Sequence, residues 1–183
     1  MKHERISVFC GSNDNSGRAY HEAADRLGRI LARSGITIVY GGGSTGLMGK
    51  LADAALEEGG KVVGVLPGFM DQKEWGHRGL TELRMVDDMH QRKRAMLDAS
   101  DACVALPGGC GTFEELFEVI AWKSLDLHSN PIVIVNVEGF YDPCVELLER
   151  SIAEGFMTPA HRAIWTLVRS PDEVLQALQS LPS

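Results

Sequence analysis

The chain has 183 residues, with 18 Lys and Arg against 25 Asp and Glu for a net charge of −7, and it is 44% hydrophobic and 23% charged. That apolar fraction is enough for one sizeable core and argues against a disordered chain. An acidic balance without a basic block argues against non-specific capture of nucleic acid or of an anionic membrane, though a local pocket for a small anion stays open.

Apolar runs alternate with amphipathic stretches along the chain. A short buried strand is predicted over 6–10, followed by a helix over 17–34 in which Ala23, Ala24, Leu27, Ile30 and Leu31 fall near one face. Gly35 ends that helix. A β-branched strand over 36–40 stops abruptly at Gly41-Gly42-Gly43, and a helix over 46–58 runs to Gly59-Gly60. Strands are predicted over 62–66 and 83–86. A helix over 89–99 follows, with Asp87-Asp88 placed to cap it. Then come a strand over 102–106, a strong helix over 112–125 and a strand over 132–136. Helices over 141–154 and 171–181 close the chain, separated by a short apolar segment at 164–168. The longest irregular stretch, 67–80, exceeds the usual connection of about 4–6 residues and reads as a functional loop.

This βαβα rhythm with near-continuous apolar strands implies an α/β fold. The expectation is a single-domain, Rossmann-like, doubly wound parallel sheet over residues 1–183 with helices on both faces. Cys10, Cys103, Cys110 and Cys144 are scattered, with no CxxC and no Cys/His spacing suited to zinc, which fits reduced thiols and no metal site. The start, MKHERISVFCGS, lacks the apolar core of a signal peptide. No window reaches the roughly 18 apolar residues of a membrane span. A soluble cytoplasmic protein is therefore expected.

Glycine is over-represented, 20 residues in all against a usual level of about 7%, and two clusters account for its interest. Each follows a strand and opens a helix: Tyr40-Gly41-Gly42-Gly43-Ser44-Thr45-Gly46-Leu47-Met48-Gly49 and Leu106-Pro107-Gly108-Gly109-Cys110-Gly111-Thr112-Phe113-Glu114-Glu115. In an open parallel sheet both turns lie on the carboxyl edge, where ligands bind. Without a Cβ, backbone N–H groups can approach a ligand oxygen, and a helix N-terminus adds unpaired donors and partial positive charge. Ser44, Thr45 and Thr112 supply hydroxyls. The pair reads as an anion site, most plausibly for a phosphate built from Gly42, Gly43, Ser44, Thr45, Gly46, Gly108, Gly109, Gly111 and Thr112; the bland alternative is tight turns needed for packing. Neither cluster is a Walker A motif, and neither carries a clean GxGxxG with a distant acid.

The helix over 89–99 opens Met-His-Gln-Arg-Lys-Arg, so Arg92 and Lys93 can point into the same edge or form a solvated face. Glu114 and Glu115 are either partners of the helix dipole or chemistry beside the anion site. Trp75, Trp122 and Trp165 read as core or interface residues rather than stacking platforms.

Together, Gly41 to Gly49, Met89-His90-Gln91-Arg92-Lys93 and the complete PGGxGTxxE signature from Pro107 to Glu115 resemble the LOG ("lonely guy") family. The likeness runs from Ile6 to about Tyr141. Its members are cytokinin riboside 5′-monophosphate phosphoribohydrolases, long mislabelled as lysine decarboxylases. The resemblance implies a Rossmann-like fold, a homodimer and hydrolysis of the N-glycosidic bond of AMP or N6-prenylated AMP, giving the free base and ribose 5-phosphate. It implies no cofactor. By motif, Arg92 and Glu115 match the family's catalytic pair and Glu74 a substrate-binding carboxylate. Lys93 and the run Gly109, Cys110, Gly111, Thr112 and Glu114 match its binding loop, with Cys110 at the variable position. A decarboxylase using pyridoxal phosphate needs a Schiff-base lysine, and Lys50, Lys61, Lys73, Lys93 and Lys123 stand in no such context. A non-catalytic nucleotide carrier or sensor is the alternative, and the preferred base, including CMP or GMP, is left open.

Overall fold

Seven short apolar runs become the strands of one parallel sheet in the computed structural model, which describes residues 3–71 and 75–180. In chain order the strands are β1 (Arg5–Phe9), β2 (Thr37–Tyr40), β3 (Val62–Pro67), β4 (Glu82–Val86), β5 (Ala102–Ala105), β6 (Ile132–Val135) and β7 (Trp165–Val168). The helices are α1 (Arg18–Arg33), α2 (Gly46–Glu57), α3 (Gly68–Asp71), α4 (Met89–Asp98), α5 (Cys110–Ser124), α6 (Asp142–Ala153) and α7 (Val174–Ser180). The spatial strand order is β4-β3-β2-β1-β5-β6-β7. The chain winds outward from β1 to one edge, returns to β5, and then winds to the other. The reversal opens a crevice between the carboxyl ends of β1 and β5.

Strand alternation divides the apolar residues between two layers. Ile6, Val8, Ile38, Tyr40, Val104 and Val133 face the layer that receives Leu27 and Leu31 of α1, Leu47 and Leu51 of α2, and Leu178 of α7. Phe9, Val39, Val65, Cys103 and Ile134 face the other, which receives Met96 of α4, Leu116 and Val119 of α5, and Leu148 of α6. Burial on both faces explains why β3, β5 and β6 read as continuous apolar runs, while the edge strands β4 and β7 are partly exposed. The doubly wound α/β architecture is therefore the one expected.

Several boundaries move for identifiable reasons. Helix α5 starts at Cys110 rather than Thr112, because Gly109 takes the extended conformation of a cap and Cys110 and Gly111 already belong to the first turn. The apolar segment at 164–168 is an edge strand, with Ile132 opposite Trp165 and Val135 opposite Val168. The final helix splits at Pro171 into a 3-10 turn, Pro171–Glu173, and α7. The irregular stretch 67–80 begins with the end of β3 and the single turn α3. Asp88 caps α4 as its position suggests, accepting from the Gln91 N–H at 2.8 Å.

One buried bond joins the second layer to the edge that matters. The fully buried Tyr141 donates its hydroxyl to the Leu106 carbonyl at 2.8 Å, at the entrance to the second glycine turn. Tyr141→Phe removes that donor from a dry site. The expected cost is about 1–3 kcal/mol, read in urea unfolding as a lower midpoint at unchanged slope.

Candidate active site

Four connections meet at the carboxyl edge and bond to one another. From the loop after β1, the Gly11 N–H donates to the Pro107 carbonyl at 3.1 Å, and its own carbonyl accepts from the Met48 N–H at 3.2 Å. The Thr45 hydroxyl donates to the Ser12 carbonyl at 2.7 Å, and the Gly46 N–H to Asp14 Oδ1 at 2.7 Å. From the loop after β3, the His77 N–H donates to the Gly42 carbonyl at 2.9 Å, while the Trp75 carbonyl accepts from the Ser44 N–H at 3.1 Å. These loops enclose a cleft of about 700 Å³ at the β1/β5 reversal, within the range usual for small-molecule sites.

Arg92 and Glu115 meet at its floor. Each is only 5% exposed. Helix α4 carries Arg92 beneath the strand ends, where Nε donates to the Val65 carbonyl at 3.1 Å and Nη2 to the Gly41 carbonyl at 3.1 Å. Nη1 donates to Glu115 Oε1 at 3.3 Å. A Cβ at Gly41 would come within 2.8 Å of the guanidinium carbon, so glycine is required there for Arg92 to fit. Burial pushes the Glu115 carboxyl up to about 7, outweighing the opposing pull of Arg92. The long 3.3 Å contact accords with that outcome, since charge-assisted N–H···O bonds are typically about 2.7–2.9 Å. A carboxyl poised near neutrality can exchange a proton at physiological pH.

The N-termini of α2 and α5 differ. The first N–H of α2 is taken by Asp14, whereas among the described residues no side chain caps α5. Gly109, Cys110, Gly111 and Thr112 surround the open end of α5 and line the cleft. Gly108 admits the close passage of the loop after β1: a Cβ there would lie 2.8 Å from the Gly11 nitrogen.

Of the residues singled out from sequence, Arg92, Glu115, Gly43, Thr45, Gly108, Gly109, Cys110, Gly111 and Thr112 line the cleft. Gly42, Ser44 and Gly46 support it from behind, and the Ser44 hydroxyl donates to the Trp75 carbonyl at 3.3 Å. Lys93 and Glu114 lie off the cleft and pair with each other at 2.8 Å. Glu74 lies outside the described residues. Trp165 is buried and Trp122 sits under Arg94, but Trp75 is 49% exposed at the cleft rather than in the core. Sequence reasoning also passed over Ser12, Asn13, Ser16 and Tyr20, which line the cleft from the loop after β1 and the start of α1, and Phe140, which packs edge-on to Tyr20. Their signal was position, since they follow a central strand at its carboxyl end.

The raised Glu115 carboxyl has a consequence for stability. Unfolded, the group releases its proton near 4.5; folded, it holds it to about 7. The native state thus binds the extra proton between those values, and this contribution to stability is lost as pH rises through that window. Glu115→Gln removes the titration. Urea unfolding at pH 4 and pH 8 should show the wild type losing on the order of 3 kcal/mol relative to the variant; parallel pH dependences would contradict the burial effect.

Comparison with known proteins follows the same lines. The model of the family described as "Possible lysine decarboxylase" matches residues 48–178. A cytokinin riboside 5′-monophosphate phosphoribohydrolase of Rhodococcoides fascians is 46% identical over 96% of this chain and 89% of its own length. One of Arabidopsis thaliana is 42% identical over 97% of this chain and 84% of its own. Among solved structures, the molybdenum cofactor binding protein of Rippkaea orientalis superposes with a TM-score of 0.74 at 18% identity, covering 98% of both chains, which shows a shared fold. With a family model across most of its length and relatives above 40% identity along nearly all of it, the chain belongs to the LOG family.

Proposed function

We propose that the protein hydrolyses the N-glycosidic bond of a purine nucleoside 5′-monophosphate, AMP or its N6-prenylated form, to the free base and ribose 5-phosphate. The observation that carries this reading is the Glu115 carboxyl, buried against Arg92 and raised to about 7, on the same helix as an uncapped N-terminus facing the cleft. That N-terminus supports a phosphate site at Gly108, Gly109, Gly111 and Thr112, with Gly42, Gly43, Ser44, Thr45 and Gly46 shaping its far wall. As the bond from C1′ to the base nitrogen breaks, positive charge develops on the sugar. Ionised Glu115 stabilises that charge and accepts a proton from the water whose oxygen bonds to C1′. The base leaves with the bond electrons and takes up a proton. Arg92 holds Glu115 in place and offsets its charge. Glu74 is assigned to substrate by the resemblance alone.

A carrier on the same fold would need the phosphate site but has no use for a buried carboxyl beside it. A Schiff-base decarboxylase would need a lysine in the cleft, and among the described residues none lines it. The four free cysteines support a reducing, cytoplasmic setting. We take residues 1–183 as one catalytic domain that acts on a small molecule, not nucleic acid or membrane. Phe117 of α5 and Leu125 just after it, the latter 67% exposed, support a homodimer.

Three measurements test the proposal. AMP should be cleaved and adenosine more slowly by several orders of magnitude, because two or three charge-assisted bonds at about 1.5–3 kcal/mol each are lost; equal rates would sink the phosphate assignment. Folded Glu115→Gln should retain AMP binding and lose about 10²–10⁴ in kcat, whereas near-normal turnover would remove Glu115 from the chemistry. Light scattering should give twice the 20.0 kDa chain mass, and a value of one chain mass at micromolar concentration would contradict the dimer.

A further inference from the structure

We propose that Lys93 is a positioning residue for Glu115: with Glu114 and Glu118 it clamps α5 to α4 and sets the electrostatic field at the Glu115 carboxylate, rather than contacting substrate. The inference rests on the reading of Glu115 as the reacting carboxylate. Its basis is geometric. Lys93 follows Arg92 in α4, while Glu114 precedes Glu115 in α5 and Glu118 lies one turn beyond it. The Lys93 ammonium is 5% exposed and donates to Glu114 at 2.8 Å and to Glu118 at 3.2 Å. A buried ammonium is expensive unless paired, and here both neighbours are carboxylates on the facing helix. Two adjacent cations of α4 thus hold three carboxylates of α5 along one seam, one pair inside the cleft and one group outside it.

The outer group carries one positive and two negative charges, and Glu118 Oε2 is buried without a hydrogen-bond partner. Its net negative charge lies beside Glu115. The groups facing that carboxyl are Arg92 and Lys93 from α4, which favour ionisation, Glu114 and Glu118 from α5, which oppose it, Cys10 from the end of β1, and Tyr141 before α6, whose hydroxyl burial keeps neutral. Burial keeps the Cys10 thiol neutral by pushing its pKa up. Burial also pulls the Lys93 ammonium down, but the hydrogen bonds to its two carboxylates outweigh this and it stays charged. Lys93 and Glu118 therefore push Glu115 in opposite directions. A purely structural role would not produce effects of opposite sign.

The test is a carbon-13 NMR titration of the Glu115 carboxyl in the full chain, assigned by its disappearance in Glu115→Gln, alongside the pH profile of kcat on AMP. Lys93→Met should move the titration midpoint, and the acid limb of kcat with it, up by about 0.5–1 pH unit. Glu118→Gln should move both down by a similar amount, and Lys93→Arg should restore the wild-type midpoint. A midpoint within about 0.2 unit of wild type in folded Lys93→Met or in Glu118→Gln overturns the proposal. So does a raised KM for AMP in Lys93→Met with the midpoint unmoved, which would make Lys93 a substrate contact. If Lys93→Met does not fold, Glu118→Gln decides alone, because it keeps the shape of the side chain. Midpoints that shift as stated while the kcat profile ignores Glu115 would leave this inference standing and defeat the catalytic reading.

Discussion

Withdrawing the Glu115 carboxylate from water is the constraint to which the rest of the site answers. A carboxylate placed in a dry environment either finds a tight ionic partner or keeps its proton. Arg92 is close enough to be that partner, yet it is not free to close on it. Two of its nitrogens are held by the carbonyls of Val65 and Gly41, at the ends of β3 and β2. The third reaches Glu115 at 3.3 Å. The backbone thus sets where the guanidinium stops, and the carboxyl settles near neutrality instead of being locked as an anion. Gly41 belongs to this arrangement for a reason of volume, because any side chain there displaces the cation.

The same economy governs the two glycine turns. Both were read as anion-binding because both follow strands and open helices. The hydrogen bonds separate them. Asp14 occupies the first N–H of α2, Ser12 receives the Thr45 hydroxyl, and the backbone around Trp75 and His77 occupies Ser44 and Gly42. The first turn is the knot that ties the loops after β1, β2 and β3 together. The second turn is fixed from below, by Gly11 on the Pro107 carbonyl and by Tyr141 on the Leu106 carbonyl, and its helix end is left open. An edge fixed in this way, with an α5 N-terminus that no described side chain caps, supports the proposed anion site.

Most of the fold was legible because burial on both faces writes itself into composition. Val62, Val63, Val65 and Leu66 can only be a covered strand, and the glycines after β2 and β5 mark where the chain turns. Legibility failed where local sequence underdetermines geometry. Nothing in Cys110-Gly111 favours a helix by propensity, so the start of α5 emerged only with the extended Gly109 before it. In the site, Arg92 and Glu115 were findable from motif and spacing. The separation of Arg92 from its neighbour Lys93 was not. Adjacent residues on a helix point about 100° apart, and only the packing of α4 on α5 decides which one turns toward the cleft. Trp75 and Tyr20 were unreadable for a similar reason, since an aromatic residue in a loop or in the first turn of a helix serves a core and a cleft equally well.

Helix α5 finally acts as a ruler. Its N-terminus is at Cys110, and Glu115, the carboxyl proposed to react, lies five positions on, an axial rise of about 7.5 Å. Helical side chains lean toward the N-terminus, so the Glu115 carboxyl reaches back along that interval toward the proposed anion site. On the proposed function, a 5′-phosphate seated on that terminus presents its sugar, rather than its base, to the carboxyl. On that reading one helix carries both the anchor and the reacting group. The orientation of the substrate then does not rest on Trp75, in the loop after β3, or on Tyr20, in the first turn of α1, both of which line the cleft.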